Sequence, residues 1–282
     1  MKSPLASSTR MLTGLVSLAL FATPALAQSS DDWSGGYVGA HLGGLADPDD
    51  GNDRFLFDTN LDGNYDDTVR TAAAADAFSP GSCNGVANGP TPAAGCRGNS
   101  GGADWGLRAG YDWQSGNWVF GVVGEYSMND ARDAVTSFST TPAFYTMLRK
   151  IDGMGALRGR IGYAFGQGGD NLVYATAGAA RARVENTYTT SNGVNTFTNN
   201  GNHTASGHQM GVGYERKLGD RFSVGLEYLA TRLEDEDYRV RAAGPAPATN
   251  PFILVDPAGT DFRRSDRDFD LDSVRLTATY RF

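Results

Sequence analysis

The chain has 282 residues, of which 24 are Lys or Arg and 32 are Asp or Glu. This acidic balance argues against a nucleic-acid partner, because binding to phosphates requires a basic surface. The mean hydropathy of −0.36 suggests a soluble protein. It does not exclude a membrane β-barrel, whose strands alternate lipid-facing and interior residues and therefore have a low average hydropathy.

The N-terminus has the pattern of an export signal. Lys2 and Arg10 precede an apolar run of twelve residues, and the sequence Pro-Ala-Leu-Ala at 24–27 forms a small-residue cleavage pattern. The apolar run is shorter than the roughly 20 residues that a transmembrane helix needs. We therefore predict a cleaved signal peptide over residues 1–27 and a mature chain that begins at Gln28.

Eight segments of the predicted mature domain, residues 28–282, have the pattern of β-strands. Near the C-terminus, Val274 and Leu276 alternate with Arg275 and Thr277, and only a strand places these two sets on opposite faces. Five more segments alternate in the same way, and two others are rich in Gly and Ala. The predicted strands lie at about residues 33–45, 105–111, 118–126, 157–165, 171–188, 209–215, 222–231 and 273–282.

The connections between these segments alternate between short and long. Short turns at 115–117, 167–170 and 219–220 are rich in hairpin residues. Bacterial outer-membrane barrels combine short periplasmic turns with long extracellular loops and an even strand number, and this chain follows that pattern. The four long connections lie at about residues 46–102, 133–150, 189–203 and 237–268.

A soluble up-and-down barrel with about eight strands is the alternative fold, but its apolar residues would face inward. Aromatic residues here gather near strand ends, as in the two girdles that border the apolar band of a membrane barrel. We therefore predict an all-β fold, an eight-stranded antiparallel transmembrane up-and-down β-barrel with long extracellular loops. The aromatic residues are Trp105, Tyr111, Trp118, Tyr126, Tyr163, Tyr214, Tyr228 and Tyr280.

Several strand motifs also resemble one protein family. They are WSGGYVGA at 33–40, GYDW at 110–113, RIGYAF at 160–165, GLEY at 225–228 and ATYRF at 278–282. With these motifs the chain resembles the outer-membrane immunogenic protein or opacity-like porin family over all eight strands, but not over the long loops.

The resemblance implies an eight-stranded barrel in the outer membrane of a Gram-negative bacterium. It also implies that the terminal aromatic residues, Tyr280 and Phe282, belong to a signal read by the barrel-assembly machinery. We therefore expect localisation in the cell outer membrane, contact with outer-membrane lipid and delivery by periplasmic chaperones. The first loop, 46–102, is longer than in smaller members, so the resemblance implies no surface function for it.

Seven charged residues share the inward register of the predicted strands. Buried charge is costly unless it is paired, so a narrow barrel should join these residues in a salt-bridge network. A charged ion pathway is the alternative, but the interior of an eight-stranded barrel is just wide enough for side chains to fill. The seven are Arg108, Glu125, Arg158, Arg160, Glu215, Glu227 and Arg275.

The first loop contains an acidic segment with oxygen-bearing side chains at alternate positions around Gly63. This spacing matches the opening of a calcium-binding loop, but Val69 stands where an EF-hand has its closing Glu. A weak Ca²⁺ site and a solvated acidic loop therefore both stay open, and we expect no other cofactor. The candidate ligands are Asp58, Asn60, Asp62, Asn64 and Asp66.

The chain has two cysteines, Cys83 and Cys96, both in the first long loop. In an oxidising export compartment this pair predicts a disulfide that closes a short loop. A metal site is the weaker alternative, because the chain has no CxxC motif and no histidine close in sequence. Two free thiols are the remaining possibility.

The fourth long loop has an apolar patch between prolines at residues 250–257. An exposed patch of this kind usually marks a contact. It would meet either an external surface partner or the neighbouring loops, for which Phe138, Phe144 and Tyr145 are the candidate contacts.

Three functions are compatible with these features. We expect a non-enzymatic barrel with a structural and surface-interaction role. A small-solute porin channel is the second hypothesis. A lipid-modifying outer-membrane enzyme is the third, suggested by His203, Ser206 and His208, although three residues in one strand segment do not form a catalytic triad.

Overall fold

The computed structural model describes residues 32–48, 51–235 and 238–282. The predicted signal peptide, 1–27, and the predicted mature N-terminus at Gln28 lie outside these ranges. Within them, no helix is long and apolar enough to cross a membrane.

Eight long strands form a ring. Each strand pairs in the antiparallel sense with its neighbour along this series, and the last pairs with the first. A strand is found at each of the eight predicted positions; most ends shift by a few residues, but the strand predicted at 157–165 begins 14 residues earlier, at Ala143, and the one predicted at 209–215 begins at His203. The eight strands are β1 (Gly35–Leu45), β2 (Ala103–Ser115), β3 (Trp118–Asn129), β4 (Ala143–Phe165), β5 (Asn171–Thr190), β6 (His203–Lys217), β7 (Phe222–Glu234) and β8 (Asp268–Arg281).

The two faces of the ring have opposite chemistry. The outer face is apolar: Leu107 is 70% exposed and Leu276 is 66% exposed. Their neighbours in sequence, Arg108 and Arg275, are 4% and 1% exposed, because successive side chains of a strand point to opposite faces. This arrangement is the inverse of a soluble barrel.

Short turns close one end of the ring. Gly116 lies between β2 and β3 with φ of 60°, and Gly219 lies between β6 and β7 with φ of 95°. Glycine adopts this left-handed conformation without the steric cost that a side chain would add, so both hairpins turn tightly.

The second long connection, predicted as a loop over residues 133–150, contains regular structure. Its strand Arg132–Ser139 pairs with the first part of β4, so a β-hairpin extends beyond the ring. Residues 133–138 are all buried, which means that both faces of this strand are covered. Alternation of apolar and polar residues, the sequence signal of a half-exposed strand, is therefore absent here.

The other long connections also contain regular structure. Strands from the first, third and fourth loops form a separate four-stranded sheet, in the order Thr196–Asn199, Val240–Ala243, Thr260–Arg264 and Phe55–Asp58. Ser82–Asn84 pairs with Arg132–Ser139, and Val86–Ala87 pairs with Cys96–Arg97. Short 3-10 helices lie at Pro92–Ala94 and Pro251–Ile253 in these connections, and a third, Gln167–Gly169, lies in the short turn between β4 and β5.

The four long connections fold together around a shared aromatic core. Phe262 and Val240 are fully buried in it, and Tyr145 and Phe252 are nearly so. The Phe252 ring lies 5.7 Å from Tyr145 and 6.2 Å from Phe262, measured between centroids. We call this unit the loop cap; it comprises the described residues of 51–102, 130–150, 189–202 and 235–267.

Candidate functional site: the filled interior and the loop cap

One ion-pair cluster, which we call the lower cluster, fills the interior near the short turns. Arg160 donates from Nε to Oδ1 of Asp112 at 2.7 Å and from Nη1 to Oε2 of Glu215 at 3.1 Å. Arg281 donates from Nη1 to Oδ2 of Asp112 at 2.9 Å. Two guanidinium groups therefore face two carboxylates, all of them buried.

A second ion-pair cluster, the middle cluster, lies halfway between the two ends of the ring. Arg275 donates from Nε to Oε2 of Glu227 at 3.0 Å, and its Nη2 lies 2.7 Å from Oε1 of Glu125. Arg158 donates to the other oxygen of Glu125 at 2.9 Å, and Arg108 lies 3.4 Å from Glu227. The predicted network is thus found for all seven residues, divided between these two clusters.

The sequence interpretation missed several interior members. Asp104 lies 3.3 Å from Arg275, and His41 is buried beside it. Asp112 and Arg281 complete the lower cluster. All four share the inward register of their strands, so the same period-of-two reading, extended to the strand ends, would have found them.

Trp33 closes the interior at the end with the short turns. Its side chain is fully buried, and Nε1 donates to the carbonyl of Gly169 at 2.7 Å. The guanidinium of Arg281 lies 4.7 Å from the ring centroid and the ammonium of Lys217 lies 5.1 Å from it. The indole therefore packs under two cations and covers the lower ion-pair cluster.

An apolar layer fills the interior toward the loop cap. Its members pack inside the upper part of the ring, where the charged side chains of the middle cluster end. The bulky ones are Ile151, Met154, Val184, Leu233, Phe269 and Leu271, accompanied by buried alanines.

A third ion-pair cluster lies where the loop cap meets the ring, and its Arg149 also donates to the carbonyl of Asp268, the first residue of β8, at 2.5 Å. Arg149 on β4 donates to Asp133 at 2.5 Å and to Asp235 at 3.2 Å. Arg264 donates to Asp53 at 2.9 Å and to Asp133 at 3.1 Å. These five buried residues connect the first, second and fourth loops. No periodic pattern marks them in the sequence, because all five lie outside the predicted strands.

The apolar patch of the fourth loop is partly buried in the cap. Phe252 packs against Tyr145, which was a predicted contact, and against Phe78 at 5.8 Å. Leu254 and Val255 remain 40% and 57% exposed. The patch therefore contacts neighbouring loops through its centre and keeps an apolar edge at the surface.

The acidic segment of the first loop is organised by its own backbone. Asp58 accepts hydrogen bonds from the backbone N–H groups of Asp62 and Gly63, and Asp62 accepts one from Asn64. The last of these bonds lowers the pKa of Asp62 below its ordinary value. Within the described residues, no group of three or more acidic, His or Cys side chains is arranged to hold a metal ion. The Ca²⁺ site stays a prediction.

Cys83 and Cys96 form a disulfide, as predicted, with a Cα–Cα distance of 6.4 Å. Cys83 lies in the short strand that pairs with Arg132–Ser139 of the second loop. The disulfide therefore ties the 84–95 segment to a strand that is itself anchored on the extended hairpin.

The three residues considered for catalysis are not brought together. Ser206 and His208 are exposed on the outer face of β6. His203 belongs to the inward register, where it contacts Asp235 and Asn186. Ser206 and His208 share one face, and His203 lies on the other, so the strand does not bring all three side chains to one point.

The loop cap contains a groove of about 860 Å³. It lies between the strand Phe55–Asp58 and the segment 81–84, and Tyr65 and Phe78 contribute aromatic side chains to it. Asp66 and Asp76 add negative charge at its rim. No sequence pattern predicts this groove, because its walls come from segments that meet only when the loops pack together.

A family model described as outer membrane protein beta-barrel domain matches residues 13–282. The chain belongs to this family. It is also 30% identical over 129 residues to the 22 kDa outer membrane protein of Rhizobium leguminosarum bv. viciae, an alignment that covers 46% of this chain and 52% of that protein. The chain thus spans about half the length of this curated relative. Family and relative both place it in the outer membrane.

Three solved outer-membrane structures are similar at low sequence identity. OprG of Pseudomonas aeruginosa is 12% identical, with a TM-score of 0.48 over 90% of this chain and 100% of OprG. Ail of Yersinia pestis is 10% identical, with a TM-score of 0.33 over 88% and 99%. AlkL in lipid bilayers is 13% identical, with a TM-score of 0.30 over 92% and 95%. All three TM-scores lie below 0.5. The ring of eight strands is therefore established by the strand pairings within this chain and not by these similarities.

Proposed function

We propose that this family member is an integral outer-membrane barrel with a structural and surface-interaction role, without enzymatic activity and without an open channel. In this proposal the ring of eight strands is a closed transmembrane barrel. The short turns lie in the periplasm and the loop cap lies outside the cell. The observation that carries the proposal is that side chains fill the interior from Trp33 to the apolar layer.

The charge balance of the interior supports a plugged barrel. In the lower cluster Arg160 and Arg281 face Asp112 and Glu215, so the formal charges cancel. In the middle cluster three guanidinium groups face three carboxylates, which also cancel. An ion that entered would have to separate buried partners, and an uncompensated buried charge is strongly destabilising. The middle-cluster residues are Arg108, Arg158, Arg275, Asp104, Glu125 and Glu227.

The folded loop cap supports the surface-interaction part of the proposal. Its aromatic core and the Arg149 and Arg264 cluster hold the loops in one arrangement. A preorganised surface avoids the entropy cost of ordering loops when a partner binds. The exposed apolar edge at Leu254 and Val255 and the acidic groove are the parts of this surface that a partner would contact.

Electrical recording from the purified protein in planar bilayers tests the proposal against the channel hypothesis. We expect no large, stable currents from the intact protein. Such currents, lost on Arg158→Gln or Glu227→Gln in protein that still inserts, would favour the small-solute channel. The same recording is made after the loop cap has been shortened. Currents close to those of the intact protein would agree with a plug that lies inside the barrel.

Assays with lipid substrates test the enzyme hypothesis. We expect no hydrolysis and no acyl transfer, because Ser206 and His208 point away from His203. Activity that disappears on Ser206→Ala or His208→Ala would overturn the non-enzymatic assignment. Protease treatment of intact cells, with cleavage confined to the cap, would support the proposed orientation.

A further inference from the structure

Two arginines stand on the outer face of β5 at the end of the ring next to the loop cap. Arg181 and Arg183 are both exposed, and they have the same register as the apolar residues that precede them on this face, such as Val173. Neither guanidinium has a hydrogen bond or an ion pair within the part of the chain that the structure describes. The acidic Glu185 that follows forms an ion pair with Lys150 at 2.8 Å and also interacts electrostatically with Arg183 at longer range.

The neighbouring strand on one side offers hydrogen-bonding groups. Ser206 on β6 lies directly opposite Arg181, and Thr204 lies opposite Arg183. His208 is diagonal to Arg181 on the same face, within reach of long side chains across a strand pair. All three are exposed.

The neighbouring strand on the other side is open. Gly155 on β4 lies opposite Arg181, and a Cβ atom built there would meet nothing within 4 Å. Gly153 lies opposite Arg183, with the hydroxyl of Tyr126 directly over it. The arginines therefore border a shallow space on the outer face. Gly153 and Gly155 form its floor, and Tyr126 lies at its edge.

The charge of this rim is local. On the far side of the ring, at the same end, β8 presents Asp268, Asp270 and Asp272 outward. Arg232 on β7 is occupied by two of these carboxylates, at 3.1 and 3.2 Å. General anchoring at the interface would not require arginines without a close ion-pair partner on one side of the ring and carboxylates on the other. Acidic residues also border the basic side: Glu234 lies opposite Ser206, and the exposed Asp152 precedes Gly153 on β4.

We propose that Arg181 and Arg183 form a binding site for the phosphate of an anionic lipid in the outer leaflet, with Ser206, Thr204 and His208 as further hydrogen-bonding groups. This inference rests on the proposed transmembrane orientation, in which the cap end of the apolar belt meets the outer-leaflet headgroups. Guanidinium groups bind phosphate oxygens through paired hydrogen bonds. The acyl chains of the same lipid lie on the apolar belt directly below.

Native mass spectrometry of the protein folded in a zwitterionic detergent tests the site. The probes are a phosphatidic acid, the diacylglycerol with the same acyl chains, and inorganic phosphate. We expect the intact protein to retain phosphatidic acid at concentrations roughly tenfold lower than diacylglycerol, since each basic residue adds to anionic-lipid affinity. Arg181→Gln with Arg183→Gln should abolish this difference. The matched control is Arg216→Gln with Arg221→Gln, which removes two exposed arginines at the opposite end of the ring and should preserve it.

A second variant, Gly155→Leu, keeps both arginines but fills the open floor, and should also weaken retention. Three results would each overturn the lipid-phosphate site. They are equal retention of phosphatidic acid by the two double variants, equal retention of phosphatidic acid and diacylglycerol by the intact protein, and retention of inorganic phosphate without retention of phosphatidic acid. Insertion into phosphatidylcholine vesicles is measured in parallel. Failure of the intact protein to insert would count against the proposed function, whereas inserted variants with unchanged lipid retention would count against this site alone.

Discussion

The Nε atom of Arg264 donates a 2.9 Å hydrogen bond to Oδ2 of Asp53, across 211 residues of sequence. Asp53 also accepts hydrogen bonds from the backbone N–H groups of Arg54, Ser265 and Asp266. One carboxylate of the first loop therefore holds the turn that leads from the last loop into β8. The contact therefore holds the first and fourth loops together at the base of the cap, beside the start of β8.

Replacement of Asp53 by Ala should destabilise the cap. It removes one carboxylate that pairs with the buried guanidinium of Arg264, while the pair with Asp133 stays in place, so we expect a loss on the order of 3 kcal/mol, at the lower end of the cost of breaking a buried ion pair. The rate of trypsin cleavage within the cap measures the change. Glu185→Gln, which removes an ion pair about 40% exposed, is the control and should change the rate little. Equal cleavage rates for the two variants would contradict the role of Asp53.

Loss of the disulfide should loosen one segment of the cap. We expect Cys83→Ser with Cys96→Ser to cost about 3 kcal/mol in the chain-entropy estimate, confined to the segment between the two positions. Faster trypsin cleavage at Arg97, with an unchanged barrel by circular dichroism, would agree with this. Labelling of two accessible thiols in the native, non-reduced protein would show that the disulfide does not form.

The cap should weaken in acid through Asp235. Burial raises the pKa of this carboxyl, but hydrogen bonds and charge from His203 and Arg149 outweigh burial and hold the pKa below its ordinary value of 3.8. A carboxylate with a lower pKa in the folded state contributes stability above its unfolded pKa, and this stability is lost as the pH falls through the folded value. We expect pepsin cleavage of the cap to rise below about pH 4. Asp235→Asn should flatten this dependence; an unchanged pH profile would argue against the assignment.

Changes at the C-terminus should impair assembly more than stability. The Phe282 ring is 72% exposed and lies 5.7 Å from the ring of Tyr280, so few interior contacts depend on it. Removal of Phe282 should reduce the amount of protein in the outer membrane while refolding in detergent stays nearly normal. Phe222→Ala, which removes the other aromatic neighbour of Tyr280, is the control. Equal outer-membrane amounts for the two variants would argue against an assembly signal at this terminus.

The acidic segment of the first loop should bind Ca²⁺ weakly. Asp58 and Asp62 already accept backbone hydrogen bonds, so a cation must share oxygens that order the loop. With Val69 at the closing position, we expect a dissociation constant on the order of 10⁻⁴ to 10⁻³ M. Titration calorimetry of the folded protein beside an Asp58→Ala, Asp62→Ala variant is the measurement. The same heat in both, or none in either at several millimolar, leaves a solvated acidic loop.

The ring and its inward charges were predictable because a covered interior and an apolar exterior leave a period of two in the sequence. The pairing of Arg158 with Glu125, both on inward positions of adjacent strands, follows from that period. The loop cap was not predictable in the same way. Asp53 and Arg264 carry no local pattern that joins them, and the strand at 132–139 is covered on both faces.

The contact between the two ends of the ring also bears on how the chain folds. Arg281 donates from Nη1 to the carbonyl of Trp33, 248 residues away, and β1 pairs with β8 along most of its length. Such distant pairing requires the closure of a very long loop before its contacts can form, which is characteristic of slow folding. We expect one edge of β1 to stay unpaired until β8 has formed. The apolar outer face stays exposed during that interval. Protection by a periplasmic chaperone during that interval would prevent aggregation through the unpaired edges.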